Sequence, residues 1–343
     1  MIETLRAIRG AIDGFAGRHV VVVGDLILDE YLFGKPARIS REAPVLILRF
    51  SERQVFLGGA ANAANNVHAL GARVTPVGVI GPDGAGEELL VLFRGAGIAT
   101  DGIVTESGHT TPMKTRIMAG GYESTRQQVV RLDREPEPIL TPDVEERLLE
   151  RLAGLAREAD GFVLSDYGYG SLSPRVFEVV RELARPRGAP VAVDSRYDLL
   201  RFRGATAATP NEPEVEALTG SELGDERAIE KAGRQVLERL EARLLLVTRG
   251  SRGMALFERD GPVTFVPIFG SDQIADVTGA GDTVISTFTT ALSAGAPPAQ
   301  AAWLANVAGG LVVMKRGTAT VTPADFAQAL ATEPGSDGPR PRA

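Results

Sequence analysis

Short apolar segments alternate with amphipathic segments along most of this chain, and the alternation constrains the fold more than any other feature. The apolar segments are bounded by turn residues, as strands buried on both faces are. Most of the segments between them repeat apolar residues at the spacing of a helix. Such units predict right-handed βαβ crossovers, and hence a mostly parallel sheet covered by helices on both faces. The predicted strands are His19–Val23, Val74–Ile80, Gly161–Leu164, Val191–Val193, Ala205–Ala208 and Leu244–Thr248, and the predicted helices are Asn62–Leu70, Gly86–Ala96, Val144–Glu158, Arg175–Leu183 and Glu226–Leu240.

Two stretches, at about 31–53 and 109–132, interrupt this alternation. They contain strand-like segments, such as Pro44–Phe50 and Met113–Met118, with no helical pattern between them. Antiparallel strands need only short connections, so these stretches predict a small accessory sheet that forms a lid.

The last third of the chain adds a hairpin and a tail to this pattern. The hairpin is predicted at Met254–Phe257 and Val263–Val266. Residues 333–343 are rich in proline, glycine and charge, which predicts a disordered tail. A length of 343 residues allows one large α/β domain or two small ones. We expect a single domain over 1–332, because the candidate ligand-binding segments follow successive strands of one sheet.

Composition excludes several classes of function. With 44 acidic against 37 basic residues the net charge is −7, so a nucleic acid is not the expected partner. The chain has no cysteine, which rules out disulfides, thiolate catalysis, zinc fingers and iron–sulfur ligation, and its three histidines are too scattered for a metal cage. No apolar run reaches the roughly 18 residues of a membrane helix, and the amino terminus resembles an amphipathic helix rather than a signal peptide. We therefore expect a cytoplasmic protein with no membrane partner.

The segment Asp276–Asp282 (DVTGAGD) is the most informative motif, because an apolar helical pattern over Thr283–Ala294 follows it at once. Gly279 and Gly281 let backbone N–H groups converge, and the following helix directs the positive end of its dipole there. Such an arrangement binds an anion, especially a phosphoryl group in transfer. Asp282 is placed to accept a proton from an attacking hydroxyl. The alternative is a glycine-rich helix start with an ordinary acidic cap.

Two further segments are candidates for binding a polyhydroxylated ligand. Gly58–Asn65 (GGAANAAN) allows close approach to its backbone, and the amide of Asn62 offers both a donor and an acceptor. A tight loop into a closely packed helix explains this segment equally well. Gly24, Asp25 and Asp29 follow the first predicted strand, where ligands of open α/β sheets gather. A turn or a solvated cap is the alternative there.

Two segments point to a nucleotide. Thr209–Glu214 (TPNEPE) follows a predicted strand and places a carboxamide and a carboxylate one helical turn apart, suited to a hydrated Mg²⁺ beside nucleotide phosphates. An isolated helix cap with an acidic first turn is the alternative. Thr248–Gly253 (TRGSRG) follows another strand and predicts a phosphate loop, or simply the entry to a hairpin. The candidate nucleotide-binding residues here are Asn211, Glu214, Thr248, Gly250 and Gly253.

Several common signatures are absent from the sequence. There is no P-loop with its Gly-Lys-Ser/Thr ending, no Gly-x-Ser-x-Gly elbow, and no Gly-x-Gly-x-x-Gly after the first strand. These absences disfavour P-loop NTPases, serine hydrolases and Rossmann dehydrogenases.

In this order, the two glycine-rich segments resemble the ribokinase/PfkB family of sugar kinases, and the likeness extends over 18–323. The resemblance implies a ribokinase-like three-layer α/β/α fold, an open and mostly parallel sheet with a small β lid over the sugar. It implies Asp282 as the catalytic base and the backbone amides of Gly279, Ala280 and Gly281 as the anion hole.

The same resemblance implies roles for other residues. Asn211 and Glu214 match the family's Asn-x-x-Glu motif, which is tied to Mg²⁺ and phosphate placement, with Glu214 reaching the metal through water. Asn306, on the predicted helix Ala301–Met314, matches the adenine side of the site. The sugar-contacting positions of the family are matched by Asp25, Asp29, Gly58, Gly59 and Asn62.

Within the family, the chain is most similar to the heptose 7-phosphate kinases, including the kinase half of the bifunctional lipopolysaccharide heptose enzymes. This likeness lies in Arg38–Pro44, Lys114–Arg116, Arg131–Asp133, Leu164–Tyr167, Thr209–Asn211 and Asp276–Thr278. A substrate that already bears a phosphate needs cations in its pocket, and arginine suits bidentate phosphate contacts. Each lid cation also has the alternative of a solubilising surface residue. The candidates are Arg38, Arg41, Lys114, Arg116 and Arg131.

Two segments depart from the family pattern. Gly168–Gly170 (GYG) has a tyrosine where a lysine is usual, and Asp194–Arg196 (DSR) stands where Asp-Pro-Lys is common. Both departures lie toward strand ends that face the nucleotide, and they leave the expected reaction type unchanged.

The resemblance implies that ATP, with Mg²⁺, phosphorylates the anomeric C1 hydroxyl of D-glycero-β-D-manno-heptose 7-phosphate to the 1,7-bisphosphate, for ADP-heptose and lipopolysaccharide core or surface glycan biosynthesis. The alternatives are another kinase of this family, for ribose, fructose, a nucleoside or a phosphorylated hexose, or a non-catalytic sugar or nucleotide sensor. No His-x-Gly-His nucleotidyltransferase motif occurs, so we expect a stand-alone kinase. We expect a homodimer as well, in which the apolar segment Val45–Leu48 pairs with a second subunit or packs internally.

Overall fold

The structure is a computed structural model that describes residues 2–120, 127–137, 140–270, 276–315, 317–332 and 340–341. Most of the tail predicted over 333–343 lies outside these residues, and within it Arg340–Pro341 form a short strand. In chain order the described strands are β1 His19–Gly24, β2 Leu26–Ile39, β3 Leu46–Gly59, β4 Arg73–Ile80, β5 Ile103–Thr105, β6 Met113–Ala119, β7 Gln127–Arg134, β8 Gly161–Asp166, β9 Val191–Ser195, β10 Ala207–Ala208, β11 Leu244–Thr248, β12 Met254–Glu258, β13 Val263–Val266 and β14 Arg340–Pro341.

The helices alternate with the strands as the apolar pattern predicts. In chain order they are α1 Ile2–Asp13, α2 Ala60–Ala69, α3 Gly84–Gly95, α4 Pro142–Leu155, α5 Pro174–Ala184, α6 Glu212–Thr219, α7 Glu226–Leu240, α8 Ala280–Ser293, α9 Pro298–Val313 and α10 Pro323–Thr332. None of these helices is long and apolar enough to cross a bilayer.

Ten of the described strands form one large sheet, in the order β14-β13-β12-β11-β10-β9-β8-β1-β4-β5. The strands from β11 to β5 in that order are all parallel, and β12, β13 and β14 add an antiparallel edge. The predicted hairpin is therefore present as β12 and β13.

Each face of the large sheet has its own apolar core. Along β1, Val20 and Val22 point into one core, and Val21 and Val23 point into the other. Helices α1, α2, α3, α8, α9 and α10 cover the first face, and α4, α5, α6 and α7 cover the second. With helices on both faces of the sheet, the predicted three-layer α/β/α fold is confirmed. The prediction was possible because strands that are buried on both faces are apolar throughout and do not alternate with polar residues.

Local signals explain where several helices begin. The Oγ1 of Thr141 accepts a hydrogen bond from the N–H of Val144, and Pro142 occupies the first turn, so α4 begins two residues before its predicted start. Helix α7 has the predicted bounds Glu226–Leu240, because Asp225 caps it and apolar residues recur along its inner face.

A second sheet of four strands, in the order β3-β2-β6-β7, forms the predicted lid. Its longest element is the hairpin of β2 and β3, which extends beyond the predicted bounds of about 31–53 at both ends. Because only Asp25 separates the end of β1 from the start of β2, the large sheet leads directly into the lid. Gly58 and Gly59, predicted to open a helix, instead form the end of β3, and α2 begins at Ala60.

Candidate active site

The N-terminus of α8 forms the centre of the candidate site. Asp282 is the third residue of the helix and is only 4 % exposed. Gly279 precedes the helix with φ +79°, in the left-handed region that favours glycine. A Cβ at that position would lie 2.6 Å from Nδ2 of Asn62, so both the backbone and the space require glycine. The N–H of Ala280 donates to the carbonyl of Val277 at 3.2 Å, and the positive end of the α8 dipole lies at this turn.

Helix α2 and the loop after β8 hold the Asp282 carboxylate in place. Nδ2 of Asn62 donates to Oδ2 of Asp282 at 2.8 Å, and the hydroxyl of Tyr167 donates to Oδ1 at 3.2 Å. Asn66 supports this arrangement, since its Nδ2 donates to Oδ1 of Asn62 and its own Oδ1 accepts from Oγ1 of Thr283. The carboxylate therefore has a fixed orientation.

The environment of Asp282 suits a general base. Burial raises the pKa of the Asp282 carboxyl to about 7, the hydrogen bonds from Asn62 and Tyr167 oppose that rise, and the charge of Asp29 adds to it. A base with a pKa near neutrality accepts a proton efficiently at physiological pH. Burial also raises the pKa of Tyr167 well above its usual value, so its phenol remains a hydrogen-bond donor.

The lid strands place charged groups beside this carboxylate. Asp29 on β2 accepts a hydrogen bond from Nη1 of Arg116 on β6 at 2.7 Å, and both side chains are buried. Lys114 on β6 is 8 % exposed, and its ammonium lies 4.3 Å from the centre of the Tyr167 ring. A cation over an aromatic face is attracted by the ring quadrupole, so Lys114 has a defined position beside Asp282.

Gly58 is adjacent to the carboxylate of Asp29. A Cβ on Gly58 would lie 2.7 Å from Oδ2 of Asp29, so the β3 backbone packs directly against that carboxylate. Asp29, Gly58, Asn62, Lys114 and Arg116 are therefore brought together with Asp282, whereas a Cβ on Gly59 would meet Ile27 and the carbonyl of Asp25.

Asp25 is buried but bonded to the neighbouring loop. Its carboxylate accepts hydrogen bonds from the backbone N–H groups of Tyr167, Tyr169 and Ser171 at 2.8 to 3.1 Å. These three bonds fold the loop after β8, and they bring the Tyr167 side chain to Asp282. In this structure Asp25 shapes the site through that loop.

The other three predicted lid cations are exposed. Arg38 is exposed near the outer end of β2, nine residues beyond Asp29, which is about 30 Å at the rise of a strand. Arg131 on β7 is directly opposite Arg116, but its guanidinium is bonded to Asp133 at 2.9 Å. Arg41 lies in the exposed bend that joins β2 to β3. The structure does not bring Arg38 and Arg41 together with the buried cations.

A cavity of about 650 Å³ opens on the other side of the α8 N-terminus. The predicted nucleotide residues Asn211, Thr248, Gly250, Gly253 and Asn306 line it, beside Ala280 and Gly281 of the anion hole, whereas Glu214, which is also among the described residues, does not. Nδ2 of Asn306 donates to the carbonyl of Pro267 at 2.8 Å. The anion hole therefore lies between this cavity and the lid.

Asn211 and Glu214 form a capping box at the start of α6. The N–H of Glu214 donates to Oδ1 of Asn211, and the N–H of Asn211 donates to Oε2 of Glu214, both at 2.9 Å. The segment therefore forms the helix cap that the sequence also allows as the alternative to a Mg²⁺ site. Within the described residues the cap uses Oε2 of Glu214 and not its Oε1. Burial raises the pKa of the Glu214 carboxyl.

Tyr167 and Asp194 are site residues that the sequence did not single out as such. Asp194, near the end of β9, has its carboxylate 3.6 Å from the place of a Cβ on Gly281. Its pKa is raised well above the usual value by burial and by the charges of Glu214 and Asp282. Each of the two residues is at or just past the end of a strand in the large sheet, and this position is the feature of the sequence that could have identified them as site residues.

The carboxylates of Asp194 and Glu214 form an acidic face beside the anion hole. Mg²⁺ is bound in nucleotide sites by one or two carboxylates with phosphates and water, so this donor set fits the metal. In the described part of the chain no three acidic or histidine side chains form a complete metal cage.

Comparison with known proteins agrees with this geometry. The pfkB family carbohydrate kinase profile matches residues 18–325. The bifunctional protein HldE of Geobacter sulfurreducens is 41 % identical over 335 residues, 97 % of this chain and 66 % of that protein. Its counterpart in Geobacter metallireducens is 42 % identical over 308 residues, 90 % of this chain and 62 % of that protein. The chain spans slightly less than two thirds of the length of these relatives.

Solved structures show the same fold. Phosphofructokinase-2 from Escherichia coli, in complex with substrates and products, has a TM-score of 0.75 at 19 % identity, covering 92 % of this chain and 99 % of that one. Ribokinase from Arabidopsis thaliana, complexed with ribose and ATP, has a TM-score of 0.70 at 22 % identity, covering 91 % and 98 %. The family predicted from the glycine-rich segments is confirmed: the chain belongs to the pfkB family of carbohydrate kinases, which transfer phosphoryl groups to an alcohol.

Proposed function

We propose that the chain uses ATP to phosphorylate the anomeric C1 hydroxyl of D-glycero-β-D-manno-heptose 7-phosphate, giving the 1,7-bisphosphate. The supporting observation is the position of the Asp282 carboxylate, buried beside the anion hole between a nucleotide-sized cavity and the lid cations. Similarity to the bifunctional HldE proteins supports the choice of a heptose substrate.

In this proposal Asp282 accepts the proton of the attacking hydroxyl. Asn62 and Tyr167 keep both carboxylate oxygens in place, so the oxygen that accepts the proton needs no reorientation during the reaction. The amides of Gly279, Ala280 and Gly281 stabilise the charge that develops on the phosphoryl oxygens, and the dipole of α8 adds to that effect.

Asp194 and Glu214 would hold Mg²⁺, the latter through water as predicted. When bound, the metal neutralises charge on the phosphates of the nucleotide. Burial raises the pKa of both carboxyls, and a nearby cation would oppose that rise and favour their ionised forms. The acidic face and the metal are therefore complementary.

Lys114 supports a substrate that already bears a phosphate. It is buried, and no carboxylate within the described ranges forms an ion pair with it, whereas Arg116 is bonded to Asp29. Burial lowers the pKa of the Lys114 ammonium, although the charges of Asp29, Asp133 and Asp282 oppose that shift. A substrate phosphate would give this ammonium a direct ion pair, and we assign Lys114 to that contact.

The outer face of the lid supports the proposed homodimer. Large apolar side chains are exposed on three of its four strands and in the bend between β2 and β3, which is unusual for a monomer surface. A second copy of the lid would cover them. These residues are Ile39, Val45, Leu46, Phe50, Val129, Val130 and Leu132. The cytoplasmic location stays a prediction.

The test is a coupled ADP-release assay with purified protein and a panel of acceptors: heptose 7-phosphate, unphosphorylated heptose, fructose 6-phosphate, fructose, ribose and a nucleoside. We expect kcat/KM to be highest for heptose 7-phosphate, with phosphorus NMR locating the new phosphate on C1. A preference for an unphosphorylated sugar would contradict the assignment of Lys114. Tight ligand binding without any ADP formation would instead favour a sensor.

A further inference from the structure

Tyr169, one of the two departures from the family pattern, is turned toward the lid. Its hydroxyl donates to Oε1 of Glu135 at 3.0 Å, and Glu135 immediately follows β7, an edge strand of the lid sheet. The tyrosine is only 9 % exposed, and it is not among the residues that line the cavity of about 650 Å³. Tyr169 therefore belongs to the lid side of the site and not to the nucleotide side.

The backbone of Tyr169 is fixed to the large sheet. Its N–H donates to Oδ2 of Asp25 at 3.0 Å, and the N–H of Tyr167 donates to the same oxygen at 2.8 Å. Asp25 directly follows β1 and is only 1 % exposed, so its carboxylate has little freedom to move. Tyr169 therefore joins two parts of the molecule, because its backbone is bonded to the large sheet and its hydroxyl to the end of the lid.

The bond to Glu135 acts on a strand that has little packing of its own. All residues of β7 except Asp133 are exposed. A hydroxyl that donates to a carboxylate forms a charge-assisted hydrogen bond, which is stronger than a neutral one. Burial and this bond raise the pKa of the Tyr169 phenol, so the phenol remains the donor. The bond therefore fixes the end of β7 beside the loop that follows β8.

The pairing of β7 with β6 carries this constraint to Lys114. Asp133, two residues before Glu135, is the register partner of Lys114. The backbone hydrogen bonds of an antiparallel pair keep the two strands at a fixed spacing, so β6 follows a displacement of β7. The Lys114 ammonium in turn lies 4.3 Å from the centre of the Tyr167 ring. The loop after β8 therefore contacts the lid through both Tyr167 and Tyr169, and both contacts bear on the position of Lys114.

We propose that Tyr169 is a positioning residue for the phosphate of the acceptor. Its hydrogen bond to Glu135 fixes the end of β7, and the pairing of β7 with β6 then holds Lys114 where that phosphate binds. The inference rests on the contact proposed above between Lys114 and a phosphorylated acceptor. In this role Tyr169 touches neither the acceptor nor the nucleotide. Its loss should therefore weaken the binding of a phosphorylated sugar and leave the transfer step and ATP binding unchanged.

The first test measures the steady-state kinetics of Tyr169→Phe, with Tyr197→Phe as the matched control. Tyr197 is 74 % exposed, and its ring lies beside Gly168 of the same loop. We expect Tyr169→Phe to raise the KM for heptose 7-phosphate roughly tenfold, the effect of one lost hydrogen bond to a charged group, with kcat and the KM for ATP within about twofold of the wild type. Tyr197→Phe should leave all three values unchanged. An unchanged KM for the sugar in Tyr169→Phe, or a fall in kcat without that rise in KM, would overturn the proposal.

Two further variants ask whether the bond to Glu135 is responsible for the effect. Glu135→Ala should raise the same KM as Tyr169→Phe does, and the double variant should be no worse than either single one. Tyr169→Lys should recover most of the wild-type KM, because an ammonium on a side chain of similar length can pair with the Glu135 carboxylate. Additive losses in the double variant, or a lysine variant no better than the phenylalanine variant, would contradict a role for this bond.

The second test uses the protein without any ligand, so it does not depend on the identity of the acceptor. Hydrogen–deuterium exchange compares the backbone amides of β6 and β7 with those of β3 at the other edge of the lid. We expect faster exchange over β6 and β7 in Tyr169→Phe than in the wild type and in Tyr197→Phe, with β3 unchanged. Equal exchange in all three proteins would refute the role of Tyr169 even if Lys114 binds the phosphate.

Lys114→Met separates this inference from the proposed function. If Tyr169 acts through Lys114, Tyr169→Phe should cause no further rise in the KM for heptose 7-phosphate when Lys114 is already methionine. A further rise there would overturn the proposal, because Tyr169 would then act on another group. A normal KM in Lys114→Met alone would refute the proposed phosphate contact, and with it the effect of Tyr169 on the acceptor, whatever the exchange of β7 shows.

Discussion

The hydroxyl of Tyr167 donates a hydrogen bond to Oδ1 of Asp282 at 3.2 Å, and this bond joins the loop after β8 to the start of α8. The ring of the same tyrosine lies beneath the ammonium of Lys114 on the lid. One half-buried side chain therefore contacts both the candidate base and a lid cation. Any displacement of β6 that moves Lys114 changes the electrostatic environment of the base.

Replacing Tyr167 with phenylalanine should shift the pH dependence of the reaction. The wild-type kcat/KM should fall below about pH 7, because the Asp282 carboxyl must be ionised to accept a proton and its pKa is raised to about 7. The tyrosine hydrogen bond lowers that pKa, so its removal should move the acidic limb to higher pH. A pH–rate profile checks this, and an unchanged or lowered midpoint would show that another group controls the limb.

Replacing Asp282 with asparagine should abolish turnover and also raise stability. The variant keeps the shape of the side chain but cannot accept the proton, so kcat should fall by roughly 10³-fold or more while ATP still binds. A carboxyl whose pKa is raised on folding destabilises the native state as pH rises from its unfolded value toward 7. The gain in melting temperature should therefore be larger at pH 8 than at pH 5. Near-normal turnover would refute the assignment of the base.

Replacing Lys114 with methionine should weaken binding of a phosphorylated sugar specifically. A hydrogen bond to a charged group contributes about 1.5–3 kcal/mol, so the KM for heptose 7-phosphate should rise by roughly 10- to 100-fold. The KM for unphosphorylated heptose should change little. Arg49→Met, at an exposed lid position, is the matched control and should leave both values unchanged. Equal losses for both sugars would mean that Lys114 contacts the ring and not the phosphate.

His19 should make the protein sensitive to mild acid. Burial and the charge of Arg73 lower the pKa of this histidine to about 4, while its Nε2 lies 2.9 Å from Oγ1 of Thr75. Between pH 6.5 and 4 the unfolded chain binds a proton that the native protein does not, so stability falls as pH falls, by at most about 3 kcal/mol. Urea unfolding across this window should show a smaller loss for His19→Gln. If the free energy of unfolding falls equally with pH in the wild type and in His19→Gln, the acid sensitivity comes from carboxylates instead.

The sequence predicts most of the fold because the strands of the large sheet are apolar on both faces, a signal that is local along the chain. It also predicts Asp282 and its anion hole, because the glycines and the base lie within seven residues. The lid bounds were less predictable, since β2 and β3 are half-exposed strands whose polar residues resemble loops.

The parts of the site that depend on distant contacts could not be predicted. Tyr167 meets Asp282 across 115 residues of sequence, and Asp25 turns toward the loop after β8 instead of the open site. Arg38 resembles the other lid cations in sequence, but strand geometry places it far along the hairpin. Position at a strand end identifies candidates, and packing then decides which of them face the ligand.

The two left-handed glycines at the ends of α8 allow backbone strain to be separated from damage to the site. Gly279 has φ +79° and Gly295 has φ +85°, so alanine at either position should cost about 1–2 kcal/mol. A Cβ at Gly295 meets no atom within 4 Å, whereas at Gly279 it would lie 2.6 Å from Nδ2 of Asn62. Only Gly279→Ala should therefore displace the partner of Asp282 and lower kcat, by about tenfold or more, and it should lose at least as much stability as Gly295→Ala. If Gly295→Ala lowers kcat equally, the loss comes from the general stability of α8 and not from the contact between Gly279 and Asn62.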